Sequence, residues 1–218
     1  MNNEQTNERK KGEPERKDYK YKEETKKILL KLAREAIENY LENIEEGIIK
    51  LPDEIINKAI KEKKEEKEKI DEEILKELGE ERGIFVTLRK NDQVRGCIGT
   101  LKEDKLWIQV QKYAVFSAFN DPRFPPLQKD ELPQIKIEIS IIENVEDVKN
   151  ISEIKLGEDG IILDIGGKGG VLLPEVATEY NVKTPEEFLD MLCKKIGAQK
   201  GCWKKAKIKK FKTKKISE

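Results

Sequence analysis

Between Lys22 and Ile44 the apolar residues recur at helical spacing. Ile28, Leu29, Leu32, Ala33, Ala36, Ile37, Tyr40, Leu41 and Ile44 are separated by charged positions. This pattern predicts an amphipathic helix with one buried stripe, stopped near Gly47. Leu51 and Pro52 begin an extended connection. Residues 58–78 are nearly all charged, and Glu and Lys at i, i+4 can support a helix there in water. A solvated surface helix is the favoured reading of that stretch, and a partner-binding arm is the alternative. Residues 1–20 are polar and broken by Gly12 and Pro14, so they are expected to form a disordered tail.

After Gly79 and Gly83 the pattern changes to strand-like segments. Gly83 to Lys90 is β-prone, Asn91-Asp92 marks a turn, and Val94 to Thr100 returns, which predicts a hairpin. Leu106 to Phe119 is amphipathic with helical spacing, and Asp121-Pro122 punctuates its end. Phe124-Pro125-Pro126 then forces an extended path. Residues 134–142 alternate strongly, with Ile135, Ile137, Ile139 and Ile141 on one face of a half-buried strand. A second hairpin joins Ile161–Ile165 to Val171–Leu173 across the run from Gly166 to Gly170. Pro174 opens a short helix, and Thr184-Pro185-Glu186-Glu187 starts another that runs through Phe188, Leu189, Leu192 and Cys193 to Gly197. Ala206 to Phe211 is the last expected strand. Helices and strands mix without βαβ repetition. The fold class is therefore α+β, a mixed and largely antiparallel sheet flanked by helices, over residues 21–215.

Composition narrows the chemistry. The chain has 218 residues, 40% of them charged, with 44 basic and 44 acidic side chains in exact balance. No global field steers it toward nucleic acid or acidic lipid. Histidine is absent, which removes Ser-His-Asp and Cys-His catalysis and His-containing metal sites. Three cysteines, Cys97, Cys193 and Cys202, are too few for a disulfide framework or a four-thiolate zinc site. No metal site is expected, and the sequence leaves any cofactor unknown. Neither a secretory h-region nor a membrane-spanning apolar run is present, so a soluble, cytoplasmic protein is expected.

Two segments carry candidate chemistry. In Arg95-Gly96-Cys97-Ile98-Gly99-Thr100, a strand would place Arg95, Cys97 and Gly99 on one face. The guanidinium would then favour the thiolate, and Gly96 and Gly99 would let a ligand or another backbone approach. Cys97 and Arg95 are accordingly the catalytic candidates. A simply packed cysteine beside tightly packed glycines is the commoner arrangement on spacing alone. In Asn120-Asp121-Pro122-Arg123-Phe124-Pro125-Pro126, Arg123 could clamp an anion with Asp121 orienting it, or the pair could brace a helix end. Gly96, Ile98, Gly99, Thr100, Asp121, Arg123 and Phe124 are the candidate ligand-binding residues.

Other motifs read as structural. The Gly166–Gly170 run lacks GxxxxGK[ST] and lies between strands, so it is a turn. Residues 204–215 contain eight lysines and no acid, flanked by Trp203. A phosphate-binding strand is conceivable, but an edge strand guarded by lysines fits a neutral chain better, leaving nucleic acid the less favoured partner. A Cys193–Cys202 disulfide is sterically conceivable; packing of Cys193 on the inner helix face is the plainer account.

GIFVTLRK (83–90), VRGCIGTL (94–101), SAFNDPRFPPL (117–127), IEISII (137–142), LGEDGIIL (156–163), GGVLLPEVA (169–177) and EEFLDMLCKKIGAQKGCW (186–203) occur in the order found in the AMMECR family, which the chain resembles from about Leu29 to Phe211. Val94 replaces a common Leu, and the charged stretch around 58–74 resembles an insertion. The resemblance implies an α+β domain with a smaller second lobe and a cleft near RGCIG. It also implies Memo-like and radical-SAM partner proteins, as in the AmmeMemoRadiSam system. Three functions follow as expectations: a cleft, enzymatic or not, that takes a small anionic ligand at Cys97; a non-catalytic docking module; and, less favoured, nucleic-acid binding.

Overall fold

Helix α1, Glu23–Glu45, turns Leu29, Ala33 and Ile37 fully inward and keeps its charged face in solvent, as its spacing requires. The computed structural model describes residues 21–45 and 71–218. The expected tail over 1–20 and most of the charged helix over 58–78 lie outside the described residues. The end of that stretch, Glu72–Leu78, is helix α2, capped by the Asp71 carboxylate accepting the Glu73 N–H at 2.9 Å. α2 also anchors the start of α1. The Glu77 carboxylate, 2% exposed, accepts the Lys22 N–H at 3.1 Å and the Thr25 hydroxyl. A buried carboxylate is tolerated here because donors surround it.

Strands β1, Glu81–Lys90, and β2, Gln93–Lys105, form the expected hairpin. Its turn residues Asn91 and Asp92 both adopt positive φ, 52° and 60°, the backbone that matches strand twist in two-residue hairpins. Helix α3, Leu106–Phe119, follows, and after a proline-rich loop and a 3-10 turn comes β3, Ile135–Asp147. β4, Gly160–Ile165, and β5, Lys168–Leu172, make the second hairpin. Helices α4, Pro174–Glu179, and α5, Pro185–Lys195, precede the final strand β6, Lys207–Ser217. The Thr184 hydroxyl caps α5 by accepting the Glu187 N–H at 3.2 Å.

The six strands form one sheet in the order β2-β1-β3-β6-β4-β5, antiparallel throughout. Ile84, Val86 and Leu88 of β1, with Ile137, Ile139 and Ile141 of β3, face α1 and α3 and form the larger core. A second core gathers Ile161 and Leu163 under Phe188, Leu189 and Leu192 of α5. It is the smaller lobe. A third cluster, Ile142, Leu173 and Phe211, with Phe85 and Cys97 against it, lies on the opposite face of the sheet where the halves meet.

Two expectations are corrected and one open pairing is settled. β6 is not an edge strand; it runs between β3 and β4, and the edges are β2 and β5. Several of its lysines meet carboxylates on neighbouring segments, Lys209 to Asp147 at 3.6 Å, Lys212 to Glu158 at 3.2 Å and Lys215 to Glu175 at 2.9 Å. The glycine turn is confined to Gly166 and Gly167, and Gly169 and Gly170 belong to β5. A Cβ on Gly170 would lie 2.5 Å from Ile196 Cγ2, so α5 sets that glycine. Finally, Cys193 and Cys202 are joined by a disulfide, with Cys193 also fully packed. Both readings of Cys193 hold at once, because the bridge is part of the second core.

That bridge closes a short loop and therefore restricts the unfolded chain. Replacing both cysteines (C193S/C202S), or reducing the bridge, is expected to cost about 2–3 kcal/mol. Scanning calorimetry with and without reductant should show a melting temperature lower by roughly 5–10 °C; an unchanged value would mean that packing alone holds this corner.

Candidate functional site

The outer edge of β2 is closed by the loop that follows α3. Cys97 lies opposite Thr87 of β1, with its own N–H and C=O turned away from that strand. Asp121 accepts the Cys97 N–H at 2.8 Å, and Arg123 Nη2 donates to the Cys97 carbonyl at 3.2 Å. Arg123 also grips Asp121, through Nε at 2.9 Å and Nη2 at 2.6 Å. The loop thus replaces a missing strand for one residue. Pro125 and Pro126 extend the chain until the Leu127 N–H reaches back to the Ala118 carbonyl at 2.9 Å.

One residue further, Ser117 of α3 is spliced into the ladder. Its hydroxyl accepts the Ile98 N–H at 2.9 Å and donates to the Val86 carbonyl at 2.7 Å. The glycines follow from this closeness. A Cβ on Gly96 would lie 2.0 Å from the Ser117 carbonyl oxygen, and one on Gly99 2.2 Å from the Ile84 oxygen and 2.4 Å from the Phe85 ring. Both spaces admit the protein's own atoms. Ile98 enters through its N–H, and the Thr100 hydroxyl caps the Lys102 N–H at 3.0 Å, on the arm beyond the site.

Arg95 does not reach the thiol. The register slips between Leu88, opposite Gly96, and Arg89, opposite Val94, so Arg95 is the extra residue of a β-bulge. The bulge breaks the alternation on which the Arg95–Cys97 pairing rested. Arg95 instead holds Glu131 through two bonds, 3.1 and 2.8 Å, with Lys90 on the same carboxylate at 3.0 Å. Its guanidinium lies 6.0 Å from the Phe124 ring centre, and that of Arg123 lies 5.3 Å from it. Arg123 is the guanidinium of the cysteine.

The expected thiolate is corrected too. Burial pushes the Cys97 thiol above its ordinary range; the Thr87 hydroxyl at 3.2 Å, Arg123 and Lys195 only partly oppose this, and Glu175 adds to it. Lys195, in the last turn of α5, is the residue sequence reasoning missed. Its ammonium donates to the Val171 carbonyl at 2.8 Å. Crowding by protein lowers its pKa although the residue is exposed; Cys97 opposes that shift, Arg123 adds to it, and Asp121 opposes it. Burial disfavours the charged form of Asp121, but Arg123 and the N–H groups of Cys97 and Arg123 outweigh it, so its carboxyl is held below the usual range. No local signal marks Lys195, because it joins the site only when the second lobe folds against the sheet. Tyr180, 69% exposed, ends α4 within electrostatic reach of Arg123. Among the described residues there is no cluster of three His, Cys, Asp or Glu able to hold a metal, and no helix long and apolar enough to cross a membrane.

The α+β architecture is shared with known proteins. The AMMECR1 family model matches residues 30–216, and the chain belongs to the AMMECR1 family. Protein TV1384 of Thermoplasma volcanium is 42% identical over 142 residues, covering 61% of this chain and 70% of that protein. Protein TK0174 of Thermococcus kodakarensis is 33% identical over 196 residues, covering 85% of each. The crystal structure of uncharacterized protein PH0010 from Pyrococcus horikoshii superposes with a TM-score of 0.73 at 31% identity, covering 92% of this chain and 94% of that one.

Two outcomes follow from this geometry. Gly96→Ala must displace backbone rather than a flexible side chain, so urea unfolding should show a loss of about 3 kcal/mol or failure to fold; a loss under 1 kcal/mol would contradict the close approach of Ser117. The hydrogen bonds from Arg95, helped by Lys90 and the Gln128 N–H, outweigh burial and hold the Glu131 carboxyl down to about 2, from an ordinary 4.5. Its stabilisation is complete above pH 4.5 and lost as pH falls toward 2. Glu131→Gln should therefore cost about 2 kcal/mol at neutral pH and flatten the stability profile across that acid range.

Proposed function

We propose that the hollow between Cys97 and the second lobe binds a small anionic ligand. One observation carries this reading: Arg123 and Lys195, from different lobes, bring two positive charges to the same thiol. Arg123 spends Nε and Nη2 on Asp121 and Cys97, while its side chain stays 56% exposed and its Nη1 meets no acceptor among the described residues. A guanidinium braced on one side and open on the other is a prepared anion clamp. Asp121 fixes its orientation, so little entropy is lost on binding. Cys97 serves as a neutral wall of the site, its thiol protonated at neutral pH, and the reading includes no standing nucleophile.

The resemblance to the AmmeMemoRadiSam proteins supports a cytoplasmic role beside Memo-like and radical-SAM partners. The exposed ring of Tyr180, within electrostatic reach of Arg123, favours a second use of the same face, as a docking surface for such a partner. Pull-down with each purified partner, comparing Tyr180→Ser with the unaltered chain, tests that use; equal capture would remove it.

The ligand reading is tested with inorganic phosphate and with succinate as probes. Alkylation of Cys97 by uncharged iodoacetamide should be slow near neutral pH and rise only above the ordinary thiol value of 9.0. A bound anion should slow it further and move the rise to higher pH, because like charge disfavours the thiolate. Lys195→Gln should weaken probe binding roughly ten-fold, the effect of about 1.4 kcal/mol. A profile insensitive to both probes and to the substitution would overturn the proposal.

A further inference from the structure

The lysines of the stretch near the end of the sequence differ in their partners, and along β6 all but Lys207 and Lys214 meet a carboxylate. Lys209, Lys210, Lys212 and Lys215 lie along β6 and pair with Asp147, Glu146, Glu158 and Glu138. Lys204, Lys205 and Lys207 lie at the tip of the second lobe, and none has a carboxylate partner among the described residues. The tip collects further lysines from elsewhere in the chain. The Cys193–Cys202 bridge, with Cα atoms 5.9 Å apart, draws the end of α5 with Lys194 against the 3-10 turn with Lys204 and Lys205. Lys207 stands opposite Asp164, and Lys168 opposite Ile165, so the β4–β5 turn adds Lys168 beside them. Lys200 precedes the bridge and reaches Asp190 at 3.8 Å.

All six lysines are exposed; the acids of these segments are Asp164 and Asp190, with Glu186 and Glu187 at the opposite, N-terminal end of α5. The chain is neutral as a whole, so this local excess of positive charge is a segregation of charge rather than a property of composition. Lys194 sits in the last turn of α5 and offsets its dipole. The other five have no such role.

We propose that this tip binds the phosphate backbone of nucleic acid. The side chains favour phosphate over an acidic protein. Protein interfaces are depleted in lysine and rely on buried aromatic anchors, whereas phosphate contacts need only point charges at a surface. The one aromatic at the tip, Trp203, is held by its indole N–H on Asp190 at 2.9 Å and carries Lys204 over its ring at 5.4 Å. It supports a lysine instead of offering an apolar anchor. The contacts are sequence-independent, since nothing at the tip is shaped to read base edges.

Fluorescence anisotropy of the intact chain with a labelled 20-nucleotide RNA, and with duplex DNA, tests this. With about four phosphates neutralised on the single strand, affinity should fall roughly fifty-fold between 50 and 200 mM salt. K194E/K204E/K205E should lose binding at least ten-fold, and K204A/K205A, which spares the helix end, several-fold. K27E/K76E/K102E changes the net charge equally at exposed lysines away from the tip and should retain affinity. Absence of binding at 50 mM salt, equal losses in both charge-reversed variants, or equal affinity for a polyglutamate peptide of matched charge would each overturn the proposal.

Discussion

The Asp121 carboxylate makes the site possible. It is buried at the open edge of the sheet and takes the Cys97 N–H, which no strand pairs. Leaving such a donor unpaired out of water costs about 1–3 kcal/mol, so an acceptor at this position is close to obligatory. Asp121 then needs its own compensation, which Arg123 supplies. Arg123 in turn reaches the Cys97 carbonyl, and the circuit closes on the residue where it began. Each member is fixed by the others, so the positions of the thiol and the guanidinium are one structural fact. Burial raises the thiol for the same reason that it requires the carboxylate.

The sequence was most legible where one periodicity ruled. Ile135, Ile137, Ile139 and Ile141 all point into the larger core, and Leu106–Phe119 is a helix over the residues its spacing marks. Capping at Thr184 and the prolines at 174 and 185 were equally readable, because those signals are local. The site was half readable. Asp121, Arg123 and Cys97 do come together, but Arg95 is carried away by a bulge that shifts one register position and leaves no mark in residue type. Lys195 was invisible for another reason. Its role comes from packing α5 on β5, a contact between segments with no pattern relating them. Strand order was hidden similarly. A lysine-rich strand looks like a guarded edge until its carboxylate neighbours on β3 are seen.

Charge in this molecule is arranged by location. A chain with equal numbers of acids and bases could scatter them, yet here Lys209, Lys210, Lys212 and Lys215 of β6 each meet a carboxylate, while Lys204 and Lys205 at the tip of the second lobe meet none among the described residues. Arg89 illustrates the matched kind, holding Glu138 at 2.9 Å within the sheet and also reaching Glu179 of α4. The pair with Glu179 ties α4 to the sheet.

Among the described residues, β6 is the only strand that belongs to every hydrophobic cluster of the sheet. Ile208 packs with the second core, Phe211 with the central cluster and Ile216 with the larger core. It is also the sole hydrogen-bonded link between the β2-β1-β3 and β4-β5 halves. During synthesis the two halves are made first and the strand that joins them last. Each half must wait on the ribosome with a raw edge, on β3 and on β4, that only β6 can cover. The order of translation thus makes this strand the keystone of assembly, and the interval before it emerges is when a nascent chain of this design depends most on protection from its neighbours.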